Sequence, residues 1–237
     1  MRVKIKYIVL SVLSILLLII VFYLVIIIKA RVDTPSIIGK ALKDDGIVLE
    51  VSDLTERQLD ALLKVEDPGF YNHKGVDLKT PGGGITTITQ GLVKKYYFVS
   101  FKPGIAKIKQ TLIAYFALDP LVTKKDQLKL FLNVVYLGNI DGNTVNGFEK
   151  AAKVYYKKPF KKLTEDEFLS IVAMINAPET FNIIKNPESN KRRTERIKKV
   201  VSGEYKPKSL MDMYYGTLTP EEQKGLAPSS YFPSIYK

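Results

Sequence analysis

The chain has no cysteine, no tryptophan and a single histidine among 237 residues. Without cysteine there is no disulfide framework, no thiolate nucleophile and no Cys-ligated zinc or iron–sulfur centre. One histidine rules out a multi-histidine metal centre within one chain. Glycine (15) and proline (12) are too sparse for a collagen-like or low-complexity protein. Acidic residues are also short, 24 against 36 Lys and Arg, for a net charge of +12. What is present is 46% apolar residues, enough for one ordinary domain plus an appendage. The chemistry therefore falls to carboxylates, amides, hydroxyls and the basic side chains.

The longest apolar run decides the class. Tyr7 to Ile28 is uncharged, with Ser11 and Ser14 its only hydroxylated aliphatic members. As a helix it extends about 33 Å, sufficient to cross a bilayer. A cleaved signal peptide would need a shorter apolar region and a small-x-small site after it, and neither is seen. Arg2, Lys4 and Lys6 precede the run, while Lys29 and Arg31 follow it. This slight bias places the N-terminus in the cytoplasm and the rest outside. The remaining domain is still basic, as expected of a protein held near anionic headgroups or phosphorylated lipids. No pattern of a nucleic-acid-binding fold accompanies the charge, and nucleic acid is not an expected partner.

The sequence divides into a cytoplasmic N-terminus (1–6), a transmembrane helix (7–28), a polar connector (29–45), a single folded domain (46–203) and a C-terminal extension (204–237). A strand is expected at Ile47–Val51. Asp53 with Glu56 reads as a capping box opening a helix that carries Leu59, Leu62 and Leu63. Residues 66–84 are punctuated by glycine and proline and read as loop. Helical patterns follow at Thr87–Tyr97, Ile105–Leu118, Lys125–Asn133, Gly147–Tyr156 and Thr164–Ile175, the last with a Thr164/Glu167 capping box. A basic helix at Glu188–Val201 and a short one opened by Thr219-Pro220-Glu221 complete a mainly α domain.

The segment Glu66-Asp67-Pro68-Gly69-Phe70-Tyr71-Asn72-His73-Lys74-Gly75-Val76-Asp77 resembles the E-D-x-x-F-x-x-H-x-G-x-D motif of the peptidoglycan glycosyltransferases of family 51. Gly84-Ile85-Thr86-Thr87-Ile88-Thr89-Gln90-Gly91-Leu92-Val93-Lys94-Lys95 is similar to that family's G-G-S-T-I-T-Q-Q-L-x-K-N. Leu132-Asn133-Val134-Val135-Tyr136-Leu137-Gly138 resembles Y-L-N-x-x-Y-F-G, and Gly147-Phe148-Glu149-Lys150-Ala151-Ala152 resembles G-I-E-A-A-A. Ala177-Pro178, Asn186-Pro187 and Arg193/Arg196 follow the last motif. The motifs occur in order from Glu66 to about Val200. There are departures. Only Leu78 to Gly83 separate the first two motifs, where the family has a longer flap. Ile85, Gly91 and Lys95 replace a Gly, a Gln and an Asn. The R-K-x-x-E motif maps to Ala106-Lys107-Ile108-Lys109-Gln110, so its Arg is lost and its Glu is Gln110, and Lys129 stands where another Glu is usual.

The resemblance implies a lysozyme-like, mainly α glycosyltransferase domain in the bacterial plasma membrane. It would polymerise lipid II into β-1,4 glycan and release undecaprenyl diphosphate. Glu66 would be the general base, partly desolvated by Val65 and Phe70, with Gln110 at the second catalytic position. Asp67, Phe70, Thr86, Thr89, Gln90, Lys94 and Lys107 are the implied substrate-binding residues. His73, Gly75, Asn133, Tyr136 and Gly138 are structural motif positions. Mg²⁺ or Mn²⁺ is the implied cation, its ligands unknown, and no organic cofactor is expected. Lipid II, nascent glycan, the membrane and other cell-wall synthesis proteins are the expected partners.

Other readings of the same residues stay open at this level. Glu66-Asp67 could solvate a loop, and Asp67 could orient Glu66, hold a cation or form a salt bridge. Lys94 and Lys107 could be ordinary helix lysines, and Thr86, Thr89 and Gln90 ordinary capping residues rather than an anion site. Tyr96 to Phe101 suits either the membrane interface or the core, and Lys191 to Lys199 either headgroups or solvent. Because an amide cannot titrate, Gln110 also keeps two other functions in view: a catalytically silent lipid II or glycan-binding scaffold, and a peptidoglycan-cleaving hydrolase.

Overall fold

The computed structural model describes residues 2–102 and 104–226, with side chains from Ile5 onward. The charged side chains of Arg2 and Lys4, and residues 227–237 of the C-terminal extension, lie outside the described residues. Among the described residues the architecture is mainly α, with one small two-stranded sheet.

Helix α1 (Arg2–Ala41) contains the apolar run and is the one helix among the described residues long and apolar enough to cross a membrane. The expected connector over 29–45 is instead helix as far as Ala41. Its mixed composition hides a stripe: Ala30, Thr34 and Ile38, four residues apart, are 5%, 0% and 3% exposed and face the domain. Thr34 Oγ1 donates to the Ala30 carbonyl at 2.6 Å and lies 2.7 Å from the Tyr97 hydroxyl, while Arg31 donates to the Phe116 carbonyl. The membrane helix thus ends as part of the core.

Next come α2 (Glu56–Glu66), α3 (Ile88–Tyr97) and α4 (Ile105–Ile113). The α2 cap is Thr55 with Gln58, not Asp53 with Glu56. Asp53 closes its own turn on the Glu50 amide and pairs with Lys161 at 2.8 Å, so it is unavailable to α2. The helix expected as far as Leu118 changes at Ala114 into a π segment, Ala114–Leu118, before α5 (Asp119–Leu121). Helix α6 (Lys124–Val134) leads into a hairpin, β1 (Tyr136–Ile140) and β2 (Asn143–Asn146). Asp141 and Gly142, both with positive φ (50° and 78°), make its turn. Helices α7 (Phe148–Tyr156), α8 (Glu165–Val172), α9 (Pro187–Val201) and α10 (Pro220–Gly225) complete the domain. Helix α8 stops at Val172, three residues short of the expected Ile175; its Thr164/Glu167 capping box and the Thr219 cap of α10 form as expected. Phe148 stacks on Phe168 at 5.6 Å, with Phe160 edge-on to both, at the centre of the packing between α7 and α8.

The stretch expected as a strand, Ile47–Val51, pairs with no strand among the described residues. Its amides find a side chain instead. Asn133 Oδ1 accepts from Val48 N and Leu49 N at 3.0 and 2.9 Å, and Asn133 Nδ2 donates to the carbonyls of Leu49 and Lys129 at 2.9 and 2.8 Å. Gly147 lies so close that a Cβ there would be 2.3 Å from the Asn133 carbonyl oxygen, and its φ is +78°. Asn133→Ala strands the Val48 and Leu49 amides and the Leu49 carbonyl at a partly buried site, so the variant should lose about 2 kcal/mol. Thermal or denaturant unfolding of full-length protein in detergent measures this; a loss below about 0.5 kcal/mol would contradict the clamp.

Candidate active site

Glu66 is the last residue of α2. The side chain is half-buried, and its Oε2 is fully enclosed without a hydrogen-bond partner. Burial pushes its carboxyl up to about 8; the adjacent Asp67 charge adds to the rise and Arg193 opposes it.

Asp67 is 2% exposed and both its oxygens are engaged. Oδ1 accepts from His73 Nε2 at 2.8 Å, and Oδ2 accepts from the Ile88 amide, the first of α3, at 3.0 Å. The other imidazole nitrogen, Nδ1, accepts from the Gly75 amide at 3.0 Å, which makes His73 a neutral ring protonated at Nε2. Gly75 has φ +79°, and a Cβ there would come within 2.6 Å of the Ala114 carbonyl in the π segment. The Gly75 carbonyl in turn accepts from Thr87 Oγ1 at 2.7 Å. The motif loop is therefore fastened to the start of α3 and to the π segment.

Thr87 caps α3, with Gln90 returning the bond in a capping box. Gln90 Nε2 reaches Thr111 Oγ1 at 3.0 Å, and the Gln90 carbonyl accepts from Gln110 Nε2 at 2.7 Å. That donation fixes the Gln110 amide orientation and leaves its Oε1 buried without a partner. Lys107 bonds the Ile85 carbonyl at 3.1 Å and Thr86 Oγ1 at 2.9 Å. Burial lowers Lys107 to about 8; Lys94 falls to about 8 through burial and through the charge of Lys107. Lys94 also sits 4.9 Å from the Phe101 ring centre. The two lysines share one neighbourhood at α3, where a divalent anion would relieve their repulsion.

Not every expected site residue is gathered here. Thr89 turns away, donating to Gln127 Oε1 at 2.6 Å. Phe70, 1% exposed, lies in the core beneath Lys124, whose Nζ is 4.6 Å from its ring centre. The α3 amides of Ile88 and Gln90, which an anion site would have used, are taken by Asp67 and Thr87. Asn133 clamps residues 48–49 as described, Tyr136 donates to Glu179 Oε1 at 3.0 Å, and Gly138 makes room for the Tyr155 hydroxyl. Two contributors at the Glu66 side went unassigned in the sequence. Arg193 is 0% exposed, donating from Nε to the Ala173 carbonyl at 2.9 Å. Tyr215 is 2% exposed and donates to the Val65 carbonyl at 3.2 Å. The Arg193 motif match could have flagged the first; nothing in the sequence points to Tyr215.

The residues do not fit the cation that the family resemblance implies. No group of three His, Asp or Glu side chains converges among the described residues, Gln110 is an amide, and both Asp67 oxygens hold N–H donors.

A family model described as Transglycosylase matches residues 36–202. The chain is similar to penicillin-binding protein 1A of Pseudomonas aeruginosa, with 34% identity over 176 residues, covering 67% of this chain and 20% of the relative. It is similar to penicillin-binding protein 1A of Neisseria cinerea, with 32% identity over 161 residues, covering 62% and 20%. It is also similar to penicillin-binding protein 1F of Bacillus subtilis, with 30% identity over 162 residues, covering 63% and 22%. The chain thus spans about a fifth of the length of these relatives.

The Glu66 environment carries a stability signature. The native protein retains this proton up to about pH 8, whereas the unfolded chain releases it near 4.5. Between those values unfolding releases a proton, so stability falls as pH rises, and above about 8 the full cost is present. Glu66→Gln should match the wild type in thermal stability below pH 4.5 and exceed it increasingly up to pH 8, by roughly 5 kcal/mol, since each unit is worth about 1.4 kcal/mol. A stability difference independent of pH would contradict the enclosed carboxyl.

Proposed function

Because the chain belongs to the transglycosylase family, we propose that it is a peptidoglycan glycosyltransferase that joins lipid-linked saccharides into glycan at the membrane surface. The reading rests on one observation above the others: the enclosed Glu66, raised to about 8 and free at Oε2, lies within the family-matched segment. In the reaction, the 4-hydroxyl of one lipid II saccharide attacks the anomeric carbon of another, configuration inverts and undecaprenyl diphosphate leaves. Glu66 takes the hydroxyl proton; a base with a pKa near the working pH is well matched to that task. Lys94 and Lys107 receive the departing diphosphate. Both stay mostly charged at neutral pH, and a bound anion holds their protons more tightly, so the pair remains cationic as charge develops on the leaving group. Gln110 holds the α3 backbone through the Gln90 carbonyl and takes no part in proton transfer. Helix α1 anchors the domain, which faces the extracytoplasmic side, and the exposed Ile105, Ile108 and Phe116 near its exit rest on the bilayer.

Incubation of full-length protein with labelled lipid II, with and without Mg²⁺, should yield glycan polymer. Glu66→Gln should reduce it by at least about a hundredfold while remaining folded. A folded wild type that retains lipid II without polymerising it would overturn the enzymatic reading. The lysine pair is tested separately with inorganic pyrophosphate. Calorimetry in buffers of different ionisation enthalpy should show proton uptake on binding at about pH 8.5 and much less at about pH 6.5, and Lys107→Met should weaken binding about tenfold. Binding without proton uptake at the higher pH would contradict the assignment.

A further inference from the structure

The family match ends at residue 202, yet the chain beyond it is built into the wall beside Glu66. The carbonyls of Ser209 and Leu210 accept from the amides of Gly82 and Gly84, each at 2.9 Å, bonding this segment to the end of the inter-motif loop and the start of the second motif. Both glycines have positive φ, and Cβ atoms on them would meet Pro207 Cγ at 2.8 Å and Met213 Cε at 3.1 Å. The Met213 carbonyl accepts from both terminal nitrogens of Arg193, at 3.3 and 3.2 Å. The Tyr214 and Tyr215 rings flank the same guanidinium at 5.0 and 5.8 Å, with Phe181 at 4.9 Å. Tyr215, held at φ +60°, reaches the carbonyl of the residue immediately before Glu66. The far end is secured by α10, where Glu222, 0% exposed, pairs with Arg192 and Arg196 at 3.2 and 3.3 Å.

We propose that residues 205–226 form a strap that packs over the Gly82–Gly84 loop and the end of α2 and holds Arg193 in place, making Tyr215 a positioning residue for Glu66. The inference takes Glu66 as the base proposed above. The charged and titratable groups that face Glu66 are Asp67 from the loop after α2, Arg193 from α9 and Tyr215 from the strap. They act in opposite senses. Covering by the strap keeps water from the carboxyl, whereas its grip on Arg193 keeps a cation near. Burial is the largest influence on Glu66, so loosening the strap lets water prevail and the carboxyl titrates lower.

The test uses full-length wild type, Tyr215→Ala, Tyr215→Phe and Glu222→Ala, the last releasing the far end without removing a group that faces Glu66. The Glu66 ionisation midpoint is read from the carboxyl infrared band, identified by subtraction of Glu66→Gln, and therefore needs no activity. Tyr215→Ala and Glu222→Ala should lower that midpoint, the former by about one unit or more, and Tyr215→Phe should remain near wild type because it keeps the ring. In the polymerisation assay the pH at half-maximal rate should move with the infrared midpoint, with kcat falling about tenfold and KM little changed. A folded Tyr215→Ala or Glu222→Ala with an unmoved midpoint would overturn the strap, whether or not polymer forms. Absence of polymer from the wild type, with the midpoint shift present, would instead overturn the glycosyltransferase reading and leave the positioning geometry standing.

Discussion

The buried Asp67 carboxylate joins three parts of the chain that are distant or irregular in sequence. One oxygen takes the His73 Nε2–H and the other the first amide of α3, while its backbone directly follows Glu66. The end of α2, the glycine-punctuated loop and the start of α3 are thereby held in one arrangement. His73 passes the constraint to the Gly75 amide, and Gly75, through its missing Cβ, allows the loop to lie against the π segment. A negative charge so placed also suits the positive end of α3. The same charge stands beside Glu66 and helps to keep that carboxyl protonated near neutral pH.

Two polar atoms in this region are buried without partners, Glu66 Oε2 and Gln110 Oε1. Native proteins leave few such groups, and those they leave tend to mark places where stability has yielded to another requirement. For Glu66 that requirement, on the function proposed above, is a carboxyl whose ionised form is a stronger base than an exposed carboxylate. Gln110 is different. Its amide donor is used on the Gln90 carbonyl, a bond that an ionised Glu could not make. The departure from the family motif is thus accommodated by the local hydrogen bonding, and the positive charge nearby comes from Lys94 and Lys107.

Much of this was legible in the sequence, and the misses have physical causes. The apolar run, the Thr164 and Thr219 caps and the motif order depend on local patterns, and they emerged as read. The end of α1 was missed because its buried stripe includes Thr34, a polar residue satisfied by Ala30 and Tyr97. The hairpin at Tyr136–Asn146 was missed although Asp141-Gly142 is a strong turn signal, since β1 is interrupted by Gly138 and alternates poorly. Residues 47–50 form no strand and Val51 opens a short 3-10 turn; the partner of Val48 and Leu49 is the Asn133 side chain, 84 positions away from Leu49, which no local pattern discloses. Glu66, Lys94 and Lys107 could be selected from motifs. The roles of Arg193 and Tyr215 at Glu66 depend on packing between distant segments and had to be seen.

His73 is the only histidine in the chain, which makes the Asp67 arrangement unusually accessible to measurement. In ¹⁵N-histidine-labelled full-length protein in detergent micelles, its two ring nitrogens give the only imidazole signals. The account predicts a fixed neutral tautomer at neutral pH, with Nε2 protonated and Nδ1 bare, and loss of that preference in Asp67→Asn. Averaged tautomers, or a proton on Nδ1, would mean that the bridge from Asp67 through His73 to Gly75 does not hold the site together.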